Sequence, residues 1–190
     1  MIVAPTAIRG CHTIAPEPVR DHRGWFARAF DRAELASHGL DVHVEQSSYS
    51  FNERRGTLRG LHFQAAPHEE AKLVRCVRGA AFDVVVDLRS ESPTFLSWIS
   101  VELDDRSLVA VHVPPGCAHG FLTRAEGTLI EYQISTPYVA ESSVGVNPFD
   151  DRIGVAWPEP ALVVSDRDRA LPAVGDLDLQ RLVRAMAGPS

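Results

Sequence analysis

Cysteine is scarce: Cys11, Cys76 and Cys117 are the only three in 190 residues. Their spacing matches no metal-ligand pattern, and any disulfide scheme leaves one over, so a reduced compartment is expected. Long apolar runs are also missing. None approaches the ~18 residues of a membrane span, and the apolar stretch in the opening MIVAPTAIRG is too short for a signal peptide. The expectation is a cytoplasmic protein with no membrane partner. Clustered positive charge is lacking too. With 19 Lys and Arg against 25 Asp and Glu, the formal charge is −6, which argues against a general nucleic-acid binder because phosphate neutralisation needs grouped cations. Arg54-Arg55 and Arg59 are local charges, better suited to one diphosphate than to a duplex. There is no internal repeat, long linker or low-complexity tract.

What is present is an ordinary globular composition, 45% hydrophobic and 23% charged, in a length that suits a single domain over 1–190. Such a chain can bury roughly two-thirds of the surface its unfolded form exposes. Alternating or β-branched segments separated by turn residues predict strands at Thr57–Gln64, Lys72–Val77, Ala81–Leu88, Phe95–Leu103, Leu108–Val113, Gly120–Thr123 and Thr128–Ser135. Short, regularly spaced strands of this kind point to an all-β jelly roll or barrel, with a core over about 45–160 and an N-terminal arm. Within Phe82–Leu88, Asp83, Val85 and Asp87 share one face; two carboxylates there suggest a polar cavity. Helices are expected only at the periphery. Asp31-Arg32-Ala33-Glu34 carries the polar ends of a capping box, with a stop at Gly39. Asp176–Ala187 spaces Leu177, Leu179, Leu182, Val183 and Met186 as a C-terminal helix.

Four segments could carry chemistry. In Arg54–Gln64 an extended chain places Leu58, Gly60, His62 and Gln64 on one face, so His62 can reach a cavity and act as a base near neutrality. An isolated histidine is more commonly structural, but Arg59, Gln64 and Lys72 lie close by in sequence. The second segment is Pro114–Phe121 (PPGCAHGF). Together with Gly56 and His62 it resembles the two cupin motifs, where two histidines, an acid and a further histidine often hold a metal. Gln64 replaces one of those histidines here, yet His62, His119 and Glu69 could still form a facial triad, which keeps a metal-dependent oxygenase or isomerase as a rival reading. The third segment, Thr128–Tyr138, sets Ile130, Tyr132 and Ile134 on one face, so Tyr132 is either core or catalytic; Tyr138 follows Pro137 into a loop where its ring could stack on a base. The fourth, Ser165-Asp166-Arg167-Asp168, taken alone is a solvated charged turn.

In their order along the chain, DHRGWF, GTLRGLHFQ, KLV, DVVVDLRSESPTF, PPGCAHGF, Tyr132 through Tyr138, Trp157-Pro158 and SDRD closely resemble the dTDP-4-dehydrorhamnose 3,5-epimerase family. The similarity runs from about Pro5 to Pro172. It implies a cupin-type jelly roll (a double-stranded β-helix) needing no metal and no cofactor, usually a homodimer whose N-terminal segment helps close the neighbour's site. The implied substrate is a nucleotide-diphosphate 4-keto-6-deoxyhexose, epimerised through an enolate. By the same resemblance His62 is the carbon base, Asp168 its partner, Lys72 the stabiliser of the enolate oxygen and Tyr132 the opposing acid. Arg23, Phe26, Gln46, Arg59, His119, Tyr138 and Arg167 are implied as substrate contacts, with Asp83 a further cavity residue.

The chain departs from the family pattern in places. It has Gln46-Ser47-Ser48 where Gln-x-Asn is common, and one extra residue before Gly56. Arg28 and Ser143 stand where an acid is frequent, Arg167 where Lys is frequent, and Pro148 lies near a usual Trp. The departures bear on the identity of the sugar and the base more than on the reaction. The non-enzymatic alternative is a sugar-nucleotide-binding cupin.

Overall fold

Period-two alternation in the middle of the chain becomes paired strands in the computed structural model, which describes residues 1–40 and 43–183. In chain order the strands are β1 (Ile2–Pro5), β2 (His12–Ala15), β3 (Val19–Asp21), β4 (Gly24–Phe26), β5 (Gln46–Asn52), β6 (Thr57–Gln64) and β7 (Lys72–Arg78). They continue with β8 (Ala80–Asp87), β9 (Trp98–Asp104), β10 (Ala110–Val113), β11 (Cys117–Thr123), β12 (Thr128–Ile134), β13 (Ser143–Gly145) and β14 (Val163–Val164). The expected strand at Thr57–Gln64 is present with unchanged ends, while the one expected at Gly120 already starts at Cys117.

The strands form a two-sheet jelly roll. One sheet runs β1-β2-β10-β7-β12-β5 and the other β13-β6-β11-β8-β9, with β14 added in parallel to β6. Val74, Cys76, Val85, Leu103, Val111, Phe121 and Ile130 interdigitate between them as the inner core. A second apolar cluster lies on the outer face of the second sheet. There Leu61, Phe63, Val84, Val86 and Leu88 are covered by Val146, Ile153, Val174, Leu179 and Val183 from the C-terminal segment. β6 and β8 therefore pack on both faces, with Arg59 the one exposed position in either strand.

Two expectations need correction. The Asp83–Val85–Asp87 face is not one polar cavity. Val85 sits in the inner core, and Asp87 is sealed at one end by Arg89 (Nε to Oδ1 2.7 Å), Ser92 and Thr94. Only Asp83 reaches the site. The C-terminal segment also departs from its expected helix: among the described residues a 3₁₀ turn at Val174–Asp176 precedes a helical turn, Leu179–Leu182, capped by Asp178, and Val183 is extended. Leu179 and Val183 are drawn onto the outer face of the second sheet, so tertiary packing overrides the helical period; Met186 lies outside the described residues.

The first helix, α1 (Arg32–Ser37), is as expected at its start, with Asp31 accepting from the Glu34 amide at 3.1 Å. The Glu34 carboxylate does not close the box but pairs with the N-terminal ammonium of Met1. No helix among the described residues is long and apolar enough to cross a membrane.

Candidate active site

The site begins where β6 and β11 come closer than side chains permit. Gly60 has φ +130°, and a Cβ there would lie 2.6 Å from Gly120 Cα. The pairing shifts register between His119 and Phe121 at this point. Glycine at both positions lets the backbones touch, and His62 and His119 emerge as cross-strand partners.

Each imidazole ends on a buried carboxylate. His62 Nε2 is 2.8 Å from Asp168 Oδ1, and Asp168 Oδ2 accepts the Gly60 amide at 3.2 Å. Asp168 belongs to the short helix α2 (Asp166–Arg169), whose Ser165 cap accepts its amide at 3.1 Å. Read alone, this stretch looked like a solvated turn; the structure buries Asp168 while Asp166 and Arg167 stay exposed. Burial works against the Asp168 charge, but the His62 contact, the Gly60 amide and Arg167 outweigh it and hold the carboxyl below its ordinary range. The second pair is His119 Nε2 to Asp83 Oδ2 at 2.7 Å. Asp83 is fully buried and its Oδ1 has no protein partner. Desolvation raises its pKa despite His119 and Lys72 nearby.

The first sheet supplies the facing wall. The Tyr132 ring packs against the inner core and stands edge-on to His119, with centroids 6.0 Å apart. Tyr132 thus packs on the core and borders the cavity that His62 lines. Burial and the Asp83 charge push its phenol pKa up, so it keeps its proton at neutral pH. Lys72, at the start of β7, donates to the His62 carbonyl at 3.2 Å and pairs with Glu70 at 2.9 Å.

His62, His119, Tyr132 and Lys72 line a cavity of about 280 Å³ that also holds Arg59, Phe121, Ile134, Ser48 and Ser50. Arg59 is aimed by Asn52, whose Oδ1 accepts its Nε at 2.8 Å. A second cavity of about 390 Å³ shares His62, Ser48 and Ile134, and adds Gln46, Gln64, Glu70, Tyr138, Ser143 and Arg167. Gln64 is occupied with backbone: its Nε2 donates to the carbonyls of His68 and Pro137, and its Oε1 accepts the Val139 amide at 2.7 Å. It thus clamps the loop on both sides of Tyr138.

The expected residues fall into three groups. His62, Lys72, Tyr132, Arg59 and His119 share the first cavity, with Asp168 behind His62; Gln46, Tyr138 and Arg167 line the second. Arg23 and Phe26 line neither. They sit on the exposed β3–β4 hairpin, where Arg23 pairs with Asp21 at 2.6 Å. Arg55 is also outside, bound to Glu159. For the rival facial triad, both imidazoles are engaged by carboxylates and Glu69 lines neither cavity. No three potential ligands among His, Cys, Asp and Glu converge among the described residues. Glu70 and Asn52 were not anticipated, although Glu70-x-Lys72 places both on one side of an extended chain and Ser48, Ser50 and Asn52 alternate along β5.

Comparison with known proteins places the chain in a family. The family model described as dTDP-4-dehydrorhamnose 3,5-epimerase matches residues 5–176. The dTDP-4-dehydrorhamnose 3,5-epimerase of Sinorhizobium fredii is 41% identical over 86% of this chain and 85% of its own. The dTDP-4-dehydrorhamnose 3-epimerase of Streptomyces niveus is 38% identical over 89% of this chain and 82% of its own. The crystal structure of the Legionella pneumophila dTDP-6-deoxy-D-glucose-3,5-epimerase with dTDP-4-keto-L-rhamnose superposes with a TM-score of 0.91 at 30% identity, covering 98% of this chain and 99% of that one. The chain belongs to the dTDP-4-dehydrorhamnose 3,5-epimerase family.

Proposed function

We propose that the protein inverts C3, C5 or both in a dTDP-linked 4-keto-6-deoxyhexose by proton removal and return. The observation that carries this reading is the opposition of His62 and Tyr132 across one cavity, each on a different sheet. The C4 ketone acidifies the neighbouring C–H bonds. With Nε2–H of His62 turned to Asp168, Nδ1 keeps a lone pair and takes the carbon proton; the C–H electron pair moves into the ring and the carbonyl pair onto oxygen. The Lys72 ammonium meets that enolate oxygen, a contact typically worth about 10²–10³ in rate. Tyr132 returns a proton to the same carbon from the other face and takes one back from solvent, while His62 releases its own. Arg59 and His119 hold the sugar diphosphate, and Tyr138, Gln46 and Arg167 the nucleotide end.

The test is incubation with dTDP-4-keto-6-deoxyglucose in deuterium oxide. Label at C3, C5 or both is expected and identifies the centres inverted. No incorporation, with bound nucleotide detected, would leave a sugar-nucleotide-binding protein instead.

The same reading includes a homodimer in which Arg23 and Phe26 of each chain reach the neighbour's site. It is supported by the exposure of Phe26 (73%) on a hairpin that contacts neither cavity, and by Tyr49 and Phe51, exposed on the edge strand β5. Sedimentation at assay concentration tests it: an active 20.8 kDa species would overturn it.

A further inference from the structure

Lys72 is the only lysine in the chain; every other basic side chain of the Lys and Arg set is arginine. The choice has a chemical reason. A guanidinium is a directional fork, whereas an ammonium is a compact point charge on a flexible stem that can meet a single oxygen. The compact charge carries no direction of its own, so the stem must be fixed from outside. Two contacts fix it here, the His62 carbonyl and the Glu70 carboxylate, whose Oε1 lies 2.9 Å from Nζ.

Glu70 is an unusual group for this place. Its side chain is 9% exposed, that of Lys72 10%, and it stands at the wall of a cavity that is to receive an anionic ligand. A carboxylate so placed raises the cost of binding unless it is matched, and its match is Lys72. We propose that Glu70 is a positioning residue for the reaction. Its Oε1 acts as the acceptor that holds the Lys72 ammonium beside His62, ready for the enolate oxygen. This rests on the role given to Lys72 above and deepens it. It differs from a purely structural pair, which would tie the start of β7 to the preceding loop without affecting turnover.

Three variants separate the possibilities. Glu70→Met keeps the length and removes the acceptor, Glu70→Gln keeps an acceptor oxygen at the same reach, and Lys72→Gln removes the ammonium. The expected result for Glu70→Met is a fall in kcat of about 10–100-fold, the usual cost of losing a group that orients a reacting one, with KM little changed. Glu70→Gln is expected to restore most of the loss, and Glu70→Met to cost nothing more in a Lys72→Gln background. The lone lysine allows a direct reading: ¹⁵N-lysine labelling gives one side-chain signal. It should be sharp and slow to exchange in the parent and in Glu70→Gln, and broadened in Glu70→Met. A folded Glu70→Met variant with parent kcat would overturn the proposal while leaving the Lys72 role intact, as would losses that add in the double variant. Full solvent exchange in Lys72→Gln would instead sink the Lys72 role itself, and this proposal with it.

Discussion

Tyr132 and His62 stand on different sheets, Tyr132 on β12 and His62 on β6, with the cavity between them. The two should fail in different ways. His62→Ala removes the proposed base and is expected to abolish both deuterium incorporation and inversion. Tyr132→Phe removes the proposed returning acid and should leave exchange from the His62 face while losing most inversion. Each loss is expected at about 10²–10⁴ in rate. Mass spectrometry for exchange and NMR for configuration read the two outcomes separately, and equal loss of exchange in both variants would reduce Tyr132 to a packing or binding residue.

In the proposed reaction Asp168 fixes the His62 tautomer, so Asp168→Asn is expected to lower kcat by about 10²–10⁴ with KM much less affected. The same carboxyl contributes to stability with a defined sign. Its folded pKa lies below its unfolded value, so its contribution is present above the unfolded pKa and is lost as pH falls through the folded one. Urea titrations between about pH 5 and pH 2 should show a shallower acid loss in Asp168→Asn than in the parent.

His112 has the opposite acid–base type and the same direction on the pH axis. Burial pushes its pKa down, against the Gly10 carbonyl 2.9 Å from Nδ1, and neighbouring His12 adds to the shift. Because the unfolded state binds the proton more readily, stability should decline as pH falls from about 6.5 towards the lower folded value. His112→Gln should flatten that part of the curve. The effect bears on the β2–β10 seam, where His12 and His112 are register partners.

Gln64 bears on binding. Gln64→Leu leaves the Val139 amide and the Pro137 carbonyl without their side-chain partner and frees the loop that carries Tyr138. KM for the nucleotide sugar is expected to rise about tenfold or more with kcat within a few-fold, as for an interaction made equally in ground and transition states. Calorimetry with dTDP alone should show the same weakening; an unchanged affinity would confine Gln64 to the fold.

Much of the core was legible because alternation is a local signal. Strands β6, β7, β8 and β12 combine β-branched residues with clear turns, and their faces follow from counting by two. Strand β5 was missed because its serines and glutamine give little apolar contrast, although Tyr49 and Phe51 keep the period. Asp87 was misplaced for a related reason: alternation tells which face a residue takes, but not which end of that face is dry. The His62–Asp168 contact spans 106 residues, and nothing local marks Asp168 as buried; family resemblance supplied it. The exposed β3–β4 hairpin is the reverse case. Its motif was visible in DHRGWF, but its Arg23 and Phe26 line neither of the two cavities around His62.

The long reach to Asp168 also sets when the enzyme becomes an enzyme. The carboxylate arrives with the segment that blankets the outer face of the second sheet, after every strand of the two main sheets has been synthesised. Closing a contact that distant carries an entropic cost that only the docked blanket repays. A chain with its barrel formed and its blanket loose would hold Arg59, Lys72 and Tyr132 in place while His62 turned freely. On the proposed mechanism such a species would lack the partner that orients His62, so turnover would report that the segment through Val183 has docked.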